Sequence, residues 1–506
     1  MAIINSIFGW FIKKRIHQIE LFMKYPHDVQ QDWFSELTDT AKNTEWGKRY
    51  GFGELGNLDA FKARVPVQEY DGFKADIERI VHGEQNILWP SDITMFAKSS
   101  GTTSDKSKFI PVSTESLEDC HYKGGKDLMS FYYNEFEDSR LLEGRALVMG
   151  GSSDFVPLNE GSYTGDLSAI IIRNLPFWAS LHRTPDISIA LNPSWEEKIE
   201  QIVDVTVDQN ITNISGVPSW MLVLLKRVLE RTGKSKIIEV WPNLEWYVHG
   251  GVNFSPYRAS FKDLIGDNGQ VNYSETYNAS EGFFGIQDDT KRDDLLLMLD
   301  YGIFYEFMPL AELGKEFPKT LQLDEVEIGV NYALIISTTG GLWRYLIGDT
   351  IKFTCLDPFR IKVSGRTKHF INVFGEELIV DNADEALRQV CEKTRSSIKE
   401  YSAAPIFMDG TKAGGHEWVI EFIDPPSDIE YFTEVFDNAL KSINSDYEAK
   451  RYHDAVLCMP KVRQLPPGTF YKWMQKRGKL GGQNKVPRLS NSRDYINSIM
   501  EVVDEG

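Results

Sequence analysis

A chain of 506 residues is too long for one core of ordinary size, so a large domain with at least one smaller one is expected. Its 42% hydrophobic and 25% charged residues are globular values, and no apolar run reaches the roughly 18 residues a membrane-spanning helix needs. A net charge of −19 argues against a general binder of nucleic acid or anionic membrane, so an anionic ligand needs cations gathered locally.

The N-terminal stretch MAIINSIFGWFIKKRIHQIE is not read as a signal peptide. Lys13, Lys14 and Arg15 follow its apolar part, and no small-residue cleavage site comes next. Ile4, Ile7, Phe8, Phe11, Ile12 and Ile16 recur at helical spacing, which predicts an amphipathic first helix packed on the core, with membrane contact as the alternative. Residues 1–90 read as mainly helical. Gly51-Phe-Gly53-Glu-Leu-Gly56 fits G-x-G-x-x-G, but a polar segment precedes it where a dinucleotide loop needs a hydrophobic strand, so it is discarded.

From 90 to about 365, short apolar runs alternate with helical patterns: RALVMGG (145–151), ITNISGVP (211–218), LEWYVHGG (244–251), ALIISTTGG (333–341) and IKFTCLD (351–357). This predicts an α/β architecture with substantial sheets. Near 364 the pattern changes. A Gly-Arg turn, a short strand, a second glycine turn and a helix share thirty residues; a β-hairpin (IFMDGTKAGGHEWVIEFID) and one helix (EYFTEVFDNALKSINSDYEAKR) follow. A large domain over 1–366 and a compact α+β domain over 367–506 are expected. Cys120, Cys355, Cys391 and Cys458 lie far apart without a C-x-x-C pair, which suits thiols in a reducing, cytoplasmic compartment rather than a disulfide framework or zinc site.

Five short segments carry candidate chemistry. KSSGTTSDKSKFIPVS (98–113) gathers Ser99, Ser100, Gly101, Thr102 and Thr103 among Lys98, Lys106 and Lys108. Backbone N–H groups, hydroxyls and ammonium groups together suit polyphosphate, whereas the bland reading is a solvated turn. It is not a Walker A loop, because G-x-x-x-x-G-K-[ST] occurs nowhere. Tyr277-Asn278-Ala279-Ser280-Glu281-Gly282 places an aromatic for a base, a hydroxyl for phosphate and a carboxylate for Mg²⁺ in one turn; the bland reading is an exposed acidic turn. Tyr345-Leu-Ile-Gly348-Asp349 sets an acid at a strand end, either for ribose hydroxyls or as a turn cap. Ser364-Gly365-Arg366-Thr367-Lys368 sits at the inferred domain boundary, and its bland reading is a charged linker. Gly481-Gly482-Gln-Asn-Lys485-Val-Pro-Arg488 is a glycine loop with one lysine, or else a basic surface patch.

In this order the five segments resemble the adenylate-forming superfamily of acyl-CoA synthetases and luciferases. They are most similar to its Gretchen Hagen branch of acyl acid amido synthetases, the auxin- and jasmonate-conjugating type. SSGTT, YNASEG, YLIGD, QNKVPR and the early segment ARVPVQEYDGFKADIERIVHGEQNIL (63–88) carry that likeness, which covers nearly the whole chain. Leu346 stands where plant members usually have arginine, and Lys368 where the superfamily often has an acid. These departures point to a non-plant, bacterial-type member, so plant substrates are not carried over.

The resemblance implies an ATP- and Mg²⁺-dependent enzyme that converts a carboxylic acid to an acyl adenylate and passes the acyl group to an amine, an amino acid foremost. Ser99, Ser100, Gly101, Thr102, Thr103 and Lys108 would hold the outer phosphates. Gly250, Gly251 and Tyr277 would line the adenine pocket, Asn278, Ala279 and Ser280 would belong to the nucleotide site, Glu281 would hold Mg²⁺, and Asp349 with Arg366 would take the ribose. Lys485 would be the catalytic lysine, delivered by closure about a hinge at Lys368. His121, Tyr163 and Trp220 are expected in the acyl pocket. An acyl-CoA ligase and a non-catalytic nucleotide-binding protein are the alternatives; neither the substrates nor the oligomeric state is legible.

Overall fold

The computed structural model describes residues 14–99, 108–150, 155–159, 161–175, 180, 182–192, 194–251, 254, 257–266, 269–367, 370–376, 378–408, 413–454, 456–477 and 486–504. Helices open the chain, at 14–24, Pro26–Ala41, Glu45–Arg49, Leu58–Arg64 and Tyr70–Val81. The first buries Ile19 and Phe22; Ile4 to Ile12 lie outside the described residues. Phe52–Glu54, inside the discarded glycine motif, is a turn of 3₁₀ helix.

The strands that follow are β1 (Met95–Ser99), β2 (Lys108–Val112), β3 (Arg145–Val148), β4 (Val156–Asn159), β5 (Ser162–Gly165), β6 (Arg183–Thr184), β7 (Ile211–Ser215), β8 (Trp246–Gly250), β9 (Asn272–Ala279) and β10 (Gly282–Ile286). Then come β11 (Leu295–Leu297), β12 (Ile303–Pro309), β13 (Asn331–Thr338), β14 (Tyr345–Leu356) and β15 (Phe359–Arg366). The C-terminal part carries β16 (Phe370–Ile371), β17 (Leu378–Ile379), β18 (Ser397–Ile406), β19 (Gly415–Asp424) and β20 (Lys461–Leu465). The five apolar runs picked out in the sequence contribute β3, β7, β8, β13 and the second half of β14.

An eleven-stranded sheet in the order β12-β13-β14-β15-β11-β10-β9-β8-β7-β3-β6 dominates the large domain, beside a four-stranded sheet β2-β1-β5-β4. From β9 to β6 the neighbours run parallel; from β9 to β12 they run antiparallel. Strand β9 is therefore the seam, parallel to β8 on one side and antiparallel to β10 on the other. Mixed pairing of this kind puts helices over the parallel half, where crossovers require them.

Two main apolar cores follow from that division. The N-terminal helices and the antiparallel half build the first, around Trp46, Phe61, Phe73, Trp343 and Phe353. The second joins the parallel half and its helices, among them Pro218–Thr232, to Ile371, Val373, Phe374, Leu378, Trp418, Phe436 and Leu457 of the C-terminal part. On β19 the pleat decides the sharing. Trp418, Ile420 and Phe422 face that second core, while Val419 faces a third, smaller one with Trp473 and Ile496.

Three local expectations need correction. Gly365-Arg366 is no turn; both residues end β15, paired with Thr350 and Asp349 of β14. Asp349 is not at a strand end, because β14 continues to Leu356. The helix expected over EYFTEVFDNALKSINSDYEAKR is two, Ile429–Ile443 and Ser445–Arg451. Asn444 divides them: extended at φ −129, its Oδ1 accepts from Tyr447 N and caps the second helix.

Candidate active site

Two of the five segments, YNASEG and YLIGD, meet at the seam. Ala279 pairs with Gly282, so Ser280 and Glu281 form the two-residue tip of the β9–β10 hairpin, and Tyr277 and Asn278 lie on β9 rather than in the turn. A hydrogen bond from Phe283 N to Cys120 Sγ (3.1 Å) anchors the hairpin to the helical segment Ser116–Tyr122, which is wound as π-helix. Burial pushes the Cys120 thiol up to about 12, so it acts here as a packing group and acceptor.

The second motif reaches the same place by a bulge. Strand β13 pairs Ile335 with Leu346 and Ala333 with Thr350, so Ile347, Gly348 and Asp349 face a single β13 residue. Gly348 adopts φ +100, a left-handed conformation open to glycine, and its carbonyl accepts from Thr367 N at 2.7 Å. The bulge re-aims Asp349 toward β9, where Oδ2 accepts from Tyr277 Oη at 2.8 Å across a sequence separation of 72. Asp349 is 7% exposed. Tyr345, fully buried, donates through Oη to Glu281 Oε1 at 3.4 Å, and burial together with Glu281 holds its phenol well above the usual range. YNASEG and YLIGD thus touch at two points, with Arg366 opposite Asp349 in the β14–β15 register.

Gly250 ends β8 opposite Thr276; a Cβ there would lie 2.6 Å from Thr276 O, so only glycine lets the strands close. His249 precedes it, 2% exposed and stacked on Phe254 at 3.9 Å. Burial, with Arg258 adding repulsion, pushes its imidazole down to about 3 and keeps it neutral. Its register partner Glu275 shares a face of β9 with Tyr277, and burial lifts its carboxyl to about 7 against Arg258 and Lys362. Neither residue stood out in the sequence.

Strands β1 and β2 pair Ser99 with Lys108, bracketing the serine-threonine loop. Lys108 Nζ lies 5.9 Å from the Tyr70 ring. Ser100, Gly101, Thr102, Thr103, Lys368 and Lys485 lie outside the described residues, as do the side chains of Ser99 and Arg366. The stretch after Lys485 is anchored by Ser402 Oγ, which donates to Pro487 O at 2.7 Å, and by the Arg488–Asp384 ion pair, also 2.7 Å.

The three residues expected in the acyl pocket lie on three elements, the π-helical segment, β5 and the helix Pro218–Thr232. His121 is buried on the π-helical segment, its imidazole pushed down to about 4 by burial. Tyr163 packs edge-on against Phe155, with the Arg173 guanidinium 4.7 Å from its ring, and borders the first core. Trp220 borders the second core and carries Lys450 of the small domain over its ring.

Sequence reading gave Arg344 no role. It precedes Tyr345 at φ +45, which is strained for a side chain of this size, and all five of its N–H donors are matched. Nε and Nη2 hold the two oxygens of Glu306 at 2.9 Å, Nη2 also reaches Thr320 Oγ1 at 3.0 Å, and Nη1 donates to Lys62 O and Val65 O. This cage fixes the start of β14, and so the Tyr345 hydroxyl, against the N-terminal helices. The positive φ has no sequence signature at arginine; an arginine one residue before an apolar strand was the only clue.

Family models for the GH3 family N-terminal domain, central domain and C-terminal domain match residues 15–269, 296–366 and 381–494. Indole-3-acetic acid-amido synthetase GH3.4 of Arabidopsis thaliana is 25% identical, the match covering 97% of this chain and 93% of that protein. The 4-substituted benzoates-glutamate ligase GH3.12 of the same plant is 23% identical over 92% and 93%. Among solved structures, GH3.15 acyl acid amido synthetase superposes with a TM-score of 0.62 at 16% identity, covering 97% of this chain and 96% of its own. A 2-hydroxyisobutyryl-CoA ligase shares the fold, with a TM-score of 0.56 at 12% identity over 94% and 91%.

Proposed function

The chain belongs to the GH3 family, and on that premise we propose that it is an ATP-dependent acyl-acid amido synthetase. It activates a carboxylic acid as acyl-AMP and transfers the acyl group to an amine, an amino acid foremost. The observation that carries the reading is the Tyr277–Asp349 hydrogen bond, with Glu281 held beside it by Tyr345. It joins the two motifs that would grip the adenosine and the metal, in a chain matched along nearly its full length by amido synthetases.

In the first step a substrate carboxylate oxygen bonds to the α-phosphorus of ATP, and the bond to pyrophosphate breaks. In the second, the amine nitrogen bonds to the acyl carbon, AMP leaves with the electrons of the acyl–oxygen bond, and the ammonium proton passes to solvent. The first step brings anions together, so it needs fixed positive charge where charge develops. Lys485 would supply it at the α-phosphate, reached by closure of the 367–506 domain about Lys368. Asp349, fixed by Tyr277, would accept from the ribose hydroxyls, with Arg366 opposite. The loop from Ser99 to Thr103 and Lys108 would hold the outgoing pyrophosphate. No group of three or more His, Cys, Asp or Glu that could hold a metal ion is found among the described residues. Mg²⁺, an ion bound mainly by phosphate oxygens and water, would need only one carboxylate here, Glu281. It would neutralise phosphate charge.

The test is ATP–pyrophosphate exchange over a panel of carboxylic acids, with products trapped by amino acids and by coenzyme A. An amide product with some acid–amino acid pair is expected. Lys485→Ala should abolish exchange while ATP binding persists. Near-normal exchange in that variant sinks the assignment of the lysine, and a thioester product alone sinks the amide reading. No helix among the described residues is long and apolar enough to cross a membrane; the reading places the enzyme in the cytoplasm, acting on small molecules.

A further inference from the structure

The small domain touches the large one through a buried cation. Lys450 is 2% exposed, and its Nζ sits 3.4 Å from the centroid of a Trp220 ring. The two residues belong to different domains. Trp220 stands on the helix Pro218–Thr232, fixed beneath it by Met221, Leu222, Leu224, Leu225 and Val228 in the second core. Lys450 stands on the helix Ser445–Arg451, fixed in turn to the small domain. Arg451 pairs with Asp437 through Nε (2.7 Å) and Nη2 (2.8 Å), and the cap Asn444 donates to Glu376 O at 2.9 Å. Neither partner swings on a long tether; each is presented by a braced helix.

An ammonium group taken out of water is costly unless something answers its charge. An indole face contributes to that answer, and its attraction for a cation is greatest where water is excluded. A second contact lies on other elements. Tyr257, fully buried on the large domain, donates through Oη to Val373 O of the small domain at 2.8 Å, and its ring borders Phe374. A single contact point would leave the small domain free to turn about it. Two points on separate elements, with the apolar core the two domains share and the covalent connection after Thr367, define one orientation.

We propose that Trp220 and Lys450 are positioning residues that pin the small domain in this orientation, with Tyr257 as the second fixed point. Resting on the synthetase reading, the pin sets how the enzyme divides its time between the adenylating arrangement, which needs Lys485 at the site, and the other. Release of the pin exposes Lys450 to water and bares an indole face, so the contact acts through the domain equilibrium and touches no reacting atom.

The experiment is a double-mutant cycle on the full chain with Trp220→Leu and Lys450→Met, and Trp220→Phe as the conservative variant. Hydrogen–deuterium exchange over 218–232 and 445–451 reads undocking directly. A desolvated cation–π contact corresponds to a factor of about 30 in the docking equilibrium. Each single variant should raise exchange in both segments by up to about that factor, the double variant little further, and Trp220→Phe less than Trp220→Leu. Pyrophosphate exchange and amide formation from pre-formed acyl adenylate, measured separately, should shift by different factors. Additive effects in the cycle, unchanged exchange, or equal losses in both half-reactions would overturn the pin. A wild-type chain silent with every acid would overturn the synthetase reading instead, and the exchange cycle would still decide the contact.

Discussion

Arg344→Met should be among the most damaging single changes in the large domain. Arg344 is 3% exposed and Glu306 is 1% exposed. The substitution strands the Glu306 carboxylate with Thr320 Oγ1, at 2.6 Å, as its one remaining partner of the cage, and takes donors from the carbonyls of Lys62 and Val65. Breaking a buried pair by deleting one partner costs about 3–5 kcal/mol, because the surviving charge is left in a low-dielectric interior. That is a large fraction of the roughly 5–15 kcal/mol by which domains are stable. Replacing both partners removes the stranded charge, so Arg344→Met combined with Glu306→Leu should recover most of the loss. Urea unfolding followed by circular dichroism reads both: the large-domain midpoint should fall in the single variant at unchanged slope and return in the double. A single variant within about 1 kcal/mol of wild type, or a double variant worse than the single, would refute the reasoning.

Two further substitutions probe the site itself. Tyr277→Phe keeps the ring packed on Phe284 but removes the donor to Asp349. A hydrogen bond to a charged acceptor contributes about 1.5–3 kcal/mol, so the KM for ATP should rise at least tenfold with the fold intact; an unchanged KM would show that ATP binding does not use this bond. Glu275, lifted by burial to about 7, is easier to hold protonated in the folded state than in the unfolded one. Its penalty is absent below the unfolded carboxyl range near 4.5, grows as pH rises and is complete above 7, reaching on the order of 3 kcal/mol. Glu275→Gln should therefore be stabilising at pH 8 and near neutral at pH 4.5, read as the difference in melting temperature across that range. A pH-independent difference would mean that the carboxyl ionises in the fold as it does in the unfolded chain.

What was legible in the sequence was local. Runs such as ALIISTTGG and LEWYVHGG announce strands because β-branched and aromatic residues crowd between glycines, and β8 and β13 lie there. The hairpin was half visible: IFMDGTKAGGHEWVIEFID covers β19, but its first strand β18 lies upstream and shares only Ile406 with that segment. Asp349 looked like a strand terminus because a glycine precedes it; the bulge that keeps β14 going depends on how β13 pairs, which no local pattern encodes. The split at Asn444 was masked by continuous helical periodicity, since its capping bond competes with the helix only once Glu376 and Asn382 stand beside it. Arg344 with Glu306, 38 residues apart, and Trp220 with Lys450 are pairs made by the fold. Either member alone reads as an ordinary surface charge or core aromatic.

The apolar core common to the parallel half of the sheet and the C-terminal part bears on how relatives of this chain can be cut and recombined. A fragment ending at Arg366 would uncover the faces that Val373, Phe374 and Leu378 occupy and leave the Tyr257 hydroxyl without its acceptor. The C-terminal piece alone would bare the matching apolar side. Such surfaces invite self-association. A module exchanged between family members should therefore carry the helices Pro218–Thr232 and Arg258–Ile265 with the small domain, or be matched to them residue by residue. The junction after Arg366 is a poor place to divide the chain, because what the two sides share is interior.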